Sequence, residues 1–270
     1  MKPLILSSLQ KLTNHKFIEI VLRGNSAIDS ALSLFSEGKL ILIPEEGGWV
    51  HYQKAPKKLG LKQLEVKCRD AKIDLIDLKE KLEKNSCSAF IYQNPGGYFA
   101  EQPLKEIYDL CQKKGCLVIL DVSGSIGTKL CAGQYADILI GSFGEWKLVE
   151  AKGGGFISCR DKKLFDRLKL NVLEDEQQLE VISQELARLP QRIKFLLEKR
   201  KQILSDLKKF NIVHPQDLGF VVVIKYKNDL EKEKIIAYSK ENQLPFTACP
   251  RYIRLNKKAI SIEVKQLQNR

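Results

Sequence analysis

The sequence predicts an α/β protein in which a mostly parallel central sheet flanked by helices is followed by a small C-terminal α+β domain. Three observations carry that expectation. Between residue 17 and about residue 160, short β-branched apolar runs alternate with stretches of helical period, the pattern of strands joined by crossover helices. A long helical region follows over roughly 161–209, and the chain then closes on a compact β-α-β-β pattern. A chain of 270 residues can bury a substantial core as one large domain with a small companion. The boundaries read as 1–170 for the large domain, 171–210 for the connecting helical region and 211–270 for the small domain.

In chain order, MKPLILSSLQKL has a short apolar patch but not the h-region and cleavage site of a signal peptide, and it reads as a surface helix of a cytoplasmic protein. Strands are expected at FIEIVL (17–22), KLILIP (39–44), AFIY (89–92), CLVIL (116–120), ADILIGS (136–142) and GFIS (155–158). The intervening SAIDSALSLF (26–35), LIDLKEKLEK (75–84) and PLKEIYDLCQKK (103–114) carry apolar residues at helical spacing. Pro190 is expected to interrupt or kink the long helical region. The small domain reads as the strand LGFVVVIKY (218–226), the helix DLEKEKIIAYSKEN (229–242) and the strands RYIRL (251–255) and AISIEV (259–264).

Composition narrows the function classes. Apolar residues at 44% and charged residues at 29% are values of a folded globular chain. No apolar run reaches the roughly 20 residues that span a bilayer. Seven cysteines without a CxxC pair and three scattered histidines at 15, 51 and 214 predict reduced thiols and no metal site. The net charge of +12 raises the question of nucleic acid. Yet in KFLLEKRKQILSDLKK (194–209) the basic residues interleave with Phe195, Leu196, Leu197, Ile203 and Leu207 as the solvated face of an amphipathic helix does. With no RNA-reading motif or zinc finger, specific nucleic-acid recognition is not expected, and an anionic substrate is the simpler use of the charge.

The chemistry concentrates in LVILDVSGSIGTKLCAGQYADILIGSFGEWKLVEAKGGGFIS (117–158). Asp121 ends an apolar run, where it serves either as a turn or N-cap aspartate or as a carboxylate for a pyridinium nitrogen. Lys147 follows the next run beside Trp146 and ahead of Gly153, Gly154 and Gly155, a setting in which a lysine amine could form an imine. Order and spacing carry the case, since each residue alone has an ordinary structural explanation. Other strand ends add candidates. LRGNSAIDSAL (22–32) offers backbone amides and a helix dipole for a phosphate, with Asn25 or Ser26 as an ordinary N-cap in the competing account. Ser142 would give a hydroxyl to the same phosphate. Trp49, after LILIPEEGG, either stacks on a flat ring or packs in the core. Asn94, in NPGGY, either shapes a turn or donates its amide to a ring hydroxyl.

Together these residues resemble the fold-type I pyridoxal-phosphate enzymes of the aspartate aminotransferase superfamily, most nearly the DegT/DnrJ/EryC1/StrS aminotransferases. The shared pattern is Asp121-Val-Ser123-Gly-Ser-Ile-Gly127, then Ser142-Phe143-Gly-Glu-Trp-Lys147, then Gly153-Gly154-Gly155-Phe156. The resemblance implies pyridoxal 5′-phosphate (PLP) as cofactor, Lys147 as the Schiff-base lysine and general base, Asp121 as the pyridinium partner and Ser142 as a phosphate ligand. Asn25, Ser26 and Ala27 fall where the phosphate-binding helix begins, Trp49 where an aromatic stacks, and Ser123 where a small residue packs beneath the ring. RYIRL is similar to the strand in which class I/II aminotransferases hold a substrate carboxylate, which marks Arg254 and then Arg251, although a solvent-facing arginine fits the residues too. The resemblance covers residues 17–160 well and the remainder in outline. The chain is shorter than typical members, with Lys152 where glycine is usual.

The expected function is therefore PLP-dependent transamination between a small-molecule amino donor and a keto acceptor, an amino acid or a keto-sugar nucleotide, in a cytoplasmic homodimer. Two rivals stand beside it. One is a PLP-dependent lyase or desulfurase on the same fold, and the other is a non-catalytic, RNA-associated relic of it.

Overall fold

The computed structural model describes residues 1–268. Helix α1 (Lys2–Thr13) precedes strand β1 (Phe17–Val21), α2 (Gly24–Leu32), β2 (Leu40–Pro44), α3 (His51–Lys58) and β3 (Lys62–Val66). A two-residue hairpin, β4 (Cys68–Arg69) and β5 (Lys72–Ile73), leads to α4 (Leu75–Lys84), β6 (Cys87–Gln93), α5 (Leu104–Gln112) and β7 (Leu117–Asp121). Then come β8 (Ile138–Ser142), β9 (Gly155–Cys159), α6 (Lys162–Phe165) and α7 (Glu176–Asp206). The C-terminal part holds β10 (Asn211–Ile212), β11 (Val222–Lys225), α8 (Asp229–Glu241), β12 (Phe246–Cys249) and β13 (Ala259–Ile262).

Seven strands form the large sheet in the order β1-β9-β8-β7-β6-β2-β3. The run from β3 to β8 is parallel, and β9 lies antiparallel to both β8 and β1. Alternation along each strand divides the core between the two faces. Leu42, Phe90, Tyr92, Val118 and Leu120 pack on one side, and Ile41, Ile43, Ala89, Ile91 and Ile119 on the other with Ala27, Ile28 and Ala31 of α2. Both faces of the central strands are thus covered, which is why they read as continuous apolar runs. The carboxyl ends of β6, β7 and β8 lie side by side, with Gln93 opposite Asp121 and Asp121 opposite Ile140. In sheets of this kind ligands sit at those ends.

A second, antiparallel sheet of four strands, β10-β11-β13-β12, forms the small C-terminal domain with α8. Helix α7 joins the two sheets and buries Leu189, Leu196 and Ile203.

The structure corrects several details. The stretch 161–209 is not one helical region, because residues 167–175 are not helical and Val172 bridges to Val21 at the sheet edge. The cap Asp175, whose side chain accepts from the amides of Gln177 and Gln178, starts α7 afresh. That helix then runs unbroken through Pro190. Proline removes one ladder bond, and tertiary packing on both sides holds the helix together. RYIRL is not a strand. Arg251 and Arg254 form a turn, the Arg254 amide donating to the Arg251 carbonyl at 2.9 Å, and the strand beside β13 is Phe246–Cys249. Pro250, lacking an N–H, ends that ladder. Strand β3 and helix α3 carry no apolar signal: KQLEV is an edge strand with exposed Lys62 and Glu65, and HYQKAPKK contains Pro56 and three lysines.

Candidate active site

Three strand ends and two loops enclose a cavity of about 290 Å³. Asp121, at the end of β7, is 6% exposed. Its Oδ2 accepts from the Tyr52 hydroxyl at 2.6 Å and its Oδ1 from the Ser123 amide at 2.8 Å. Burial, and then the neighbouring Asp121 charge, raise the Tyr52 hydroxyl well above its ordinary range, so Tyr52 remains a donor to the carboxylate. Tyr52 is wholly buried on α3 and thus fixes the position of the acid.

Lys147 reaches the same cavity from the loop after β8. Its Nζ donates to the Tyr98 hydroxyl at 2.6 Å and stands 5.2 Å from the ring centroids of both Tyr98 and Trp49. Tyr98 holds a left-handed backbone, φ 69°, an unfavourable conformation for an aromatic residue. The strain coincides with the point where its hydroxyl meets the lysine.

At the other pole of the cavity lies the start of α2. No side chain caps its first turn, because the cap position falls on Arg23 rather than on Asn25 or Ser26, and the Asn25 Oδ1 accepts from the Trp49 indole N–H at 2.9 Å. Ser142 closes this pole, its Oγ accepting from the Gly144 amide at 3.2 Å, while the Ser123 Oγ accepts from the Ser142 amide at 2.9 Å. Gly24 must be glycine here, since a Cβ would stand 2.6 Å from the Ser142 Cβ. Arg23 and Lys152 add positive charge at this pole.

Of the residues singled out in the sequence, Lys147, Asp121, Ser123, Ser142, Asn25 and Trp49 line this one cavity. Ser26 and Ala27 do not. They lie further into α2, and Ala27 is buried with its amide donating to the Arg23 carbonyl. Asn94 is also placed differently: it is fully buried, its Nδ2 donates to the Leu130 carbonyl and its Oδ1 accepts from the Gln102 amide, both at 3.0 Å. Its preceding neighbour Gln93 lines the cavity instead, with a buried Nε2 that has no partner. Sequence reasoning missed Gln93, Tyr52 and Tyr98. Tyr98 was visible in NPGGY, but only the fold brings it to Lys147.

A second chamber of about 490 Å³ opens on the far side of Lys147, Tyr98 and Trp49 and meets the C-terminal domain. Arg254 and Arg251 are found here. Arg254 is not a free fork. Its Nε and Nη2 donate to the two oxygens of Glu263 at 3.1 and 2.6 Å, and its Nη1 donates to the Ile253 carbonyl at 2.7 Å. Glu263 and Lys265, which the sequence did not mark, complete the wall. Burial alone would raise the Glu263 carboxyl, but Arg254, Lys265 and the Ser261 hydroxyl outweigh it and hold the group at about 2.

Among the described residues, no helix is long and apolar enough to cross a membrane, and no group of three or more histidine, cysteine or acidic side chains could hold a metal.

Comparison with known proteins agrees with this architecture. A family model of the MJ1341 family C-terminal domain matches residues 190–270. No curated protein matches the sequence. Among solved structures, a DegT DnrJ EryC1 StrS aminotransferase from Brucella abortus is similar at a TM-score of 0.80 and 14% identity, over 96% of this chain and 83% of that one. Serine palmitoyltransferase from S. paucimobilis, solved with bound PLP and myriocin, is similar at a TM-score of 0.77 and 12% identity, over 99% and 72%. Cysteine desulfurase from Thermococcus onnurineus is similar at a TM-score of 0.66 and 14% identity, over 96% and 77%. At these identities the likeness is one of fold. A family model of the DegT/DnrJ/EryC1/StrS aminotransferases matches residues 21–175, more than half of the sequence, and the chain belongs to that family.

Proposed function

We propose that this protein is a PLP-dependent aminotransferase. The observation that carries the reading is the joint placement of the Lys147 amine and the Asp121 carboxylate in one cavity whose other pole is the uncapped start of α2. The cavity fits the cofactor in two further respects. The unpartnered Gln93 Nε2 is a buried donor awaiting an acceptor, and the close approach of Gly24 to Ser142 forms a small-residue cradle suited to a phosphate.

On this reading Lys147 would be the residue that holds the cofactor through its aldehyde, and Asp121 would face the ring nitrogen. Trp49 and Ser123 would flank the ring, Gln93 would donate to its hydroxyl, and Ser142 with the amides around Asn25 would hold the phosphate. PLP supplies an electron sink when bound. Tyr52 keeps Asp121 oriented, and Lys147 Nζ, with Tyr98 Oη beside it to hold or receive a proton, is the base that moves the proton on the substrate's amine-bearing carbon. The partners proposed are a small-molecule amino donor and a keto acceptor. A homodimer is proposed as well, with the exposed Trp146, 47% accessible at the chamber mouth, as part of its contact.

The desulfurase alternative requires a nucleophilic thiol. No cysteine lines either chamber, and burial pushes Cys68, Cys131 and Cys159 up to about 12, away from a reactive thiolate.

Reconstitution with PLP followed by borohydride reduction tests the reading. The expected result is a yellow protein with the reduced adduct on Lys147, and formation of the pyridoxamine form with amino donors. A colourless protein that takes up no PLP overturns it. Salt-sensitive RNA binding in that protein would favour the non-catalytic relic.

A further inference from the structure

The chamber beyond Lys147 has an unbalanced charge. Four cations line it, Lys147, Arg251, Arg254 and Lys265, against two carboxylates, Glu145 and Glu263. Glu145 is exposed to solvent, and Glu263 is committed to Arg254 by a bidentate pair and to the Ser261 and Thr247 hydroxyls. Three of the cations converge on one aromatic ring: Lys147 Nζ, Arg254 Cζ and Lys265 Nζ stand 5.2, 5.1 and 5.0 Å from the Tyr98 centroid. A ring face attracts one cation, but it does not neutralise three.

Lys265 is the least satisfied of them. It is 5% exposed, and its Nζ lies 3.7 Å from Glu263 Oε2, beyond a hydrogen bond. Its remaining surroundings are the Trp146 ring at 5.6 Å and the chamber itself. A buried ammonium so poorly paired is unusual unless something else is meant to meet it. The backbone holds it firmly, because its carbonyl accepts from Arg192 Nη2 at 3.0 Å.

We propose that this chamber is an oxyanion subsite in which Lys265 holds the carboxylate or phosphate substituent of the substrate whose reacting end faces Lys147. The inference rests on the functional reading above and adds the substrate class. Arg254 is the support, keeping Glu263 away from the incoming anion, and Arg251, exposed at the entrance, draws the anion in. Burial first, then repulsion from Arg254 and Lys147 only partly offset by Glu263, brings the Lys265 amine down to about 7. Occupancy of the subsite accordingly weakens as the pH rises through that value.

Both tryptophans of the chain, Trp49 and Trp146, line this chamber, so intrinsic fluorescence reports on it directly. Glutarate, glycerol 3-phosphate and the neutral glutaramide are titrated into the purified protein, with and without added PLP. The expected result is a saturable change with one or both anions and none with the diamide. Lys265→Met should weaken it about tenfold or more, in line with loss of one charge-assisted hydrogen bond, and Lys265→Arg should restore most of it. In the wild-type chain the affinity should fall between pH 6 and pH 9. The proposal is overturned by an equal response to the diamide, by unchanged affinity in Lys265→Met, or by a flat pH profile in the wild-type protein. The preferred anion separates a carboxylate substrate from a phosphorylated one. Anion binding at Lys265 in a protein that takes up no PLP would sink the transaminase reading alone, and PLP uptake without anion binding would sink the subsite alone.

Discussion

Arg192 and Glu150 form a largely buried ion pair, Nη2 to Oε2 at 2.9 Å. The same guanidinium donates to the backbone carbonyls of Lys147 at 3.4 Å, Lys265 at 3.0 Å and Leu267 at 3.2 Å. One side chain of α7 therefore holds the backbones of both lysines that face the two chambers. Its partner Glu150 also accepts from the Trp146 amide at 3.0 Å, which ties down the loop ahead of Lys147.

Arg192→Ala should accordingly destabilise the fold by about 2–3 kcal/mol, because it leaves a largely buried carboxylate without its cation. Urea unfolding measures this. Glu150→Gln, which keeps an acceptor for the Trp146 amide, should cost less. Equal costs in the two variants would show that the charge pair, rather than the arginine's packing and carbonyl contacts, dominates.

Tyr98→Phe removes the oxygen that receives the Lys147 proton but leaves the ring that faces three cations. The lost hydrogen bond to a charged group amounts to about 1.5–3 kcal/mol. Thermal stability should fall by a corresponding few degrees, and the pH at which bound PLP changes its absorption should shift. An unshifted titration would show that the 2.6 Å contact does not govern the lysine.

The Glu263 carboxyl lies at about 2 in the folded protein against an ordinary 4.5. The unfolded chain then takes up the proton first as the pH falls, so the stabilisation is complete above about pH 4.5 and is lost between there and about pH 2. It amounts to about 3 kcal/mol at one pKa unit per 1.36 kcal/mol. Glu263→Gln should flatten that acid limb of the stability curve, as followed by denaturant midpoints at successive pH values.

Lys265 has the opposite consequence. Its folded value of about 7 lies below the ordinary 10.5, so the unfolded chain binds the extra proton between those values and stability rises with pH across that window. The deficit is complete below about pH 7. Lys265→Met removes it, and the variant should be more stable than the wild-type chain at pH 6 by about 2–4 kcal/mol, with the margin vanishing near pH 10.5. A margin that does not depend on pH would mean that the ammonium is solvated.

Much of the large sheet was legible in the sequence because its central strands are covered on both faces and leave unbroken apolar runs. The edge strand Lys62–Val66 was not, since its exposed Lys62 and Glu65 erase the period. The same reasoning explains RYIRL: its apolar and basic residues imitate a strand, but Pro250 withdraws the N–H that would extend the ladder and Arg254 turns inward to Glu263.

By itself the sequence determined the order of the central strands and which polar residues end them, and from these Asp121, Ser142 and Lys147 could be singled out by order and spacing. Only the tertiary structure decided which residues complete their surroundings. Tyr52 beneath Asp121, Tyr98 against Lys147, Gln93 in place of Asn94, and the Arg254–Glu263–Lys265 group all arise from contacts between elements far apart in the chain. Local periodicity records which face of an element is buried. It does not record which distant side chain that face will meet, and the pairing of charges in the chamber depends on nothing else.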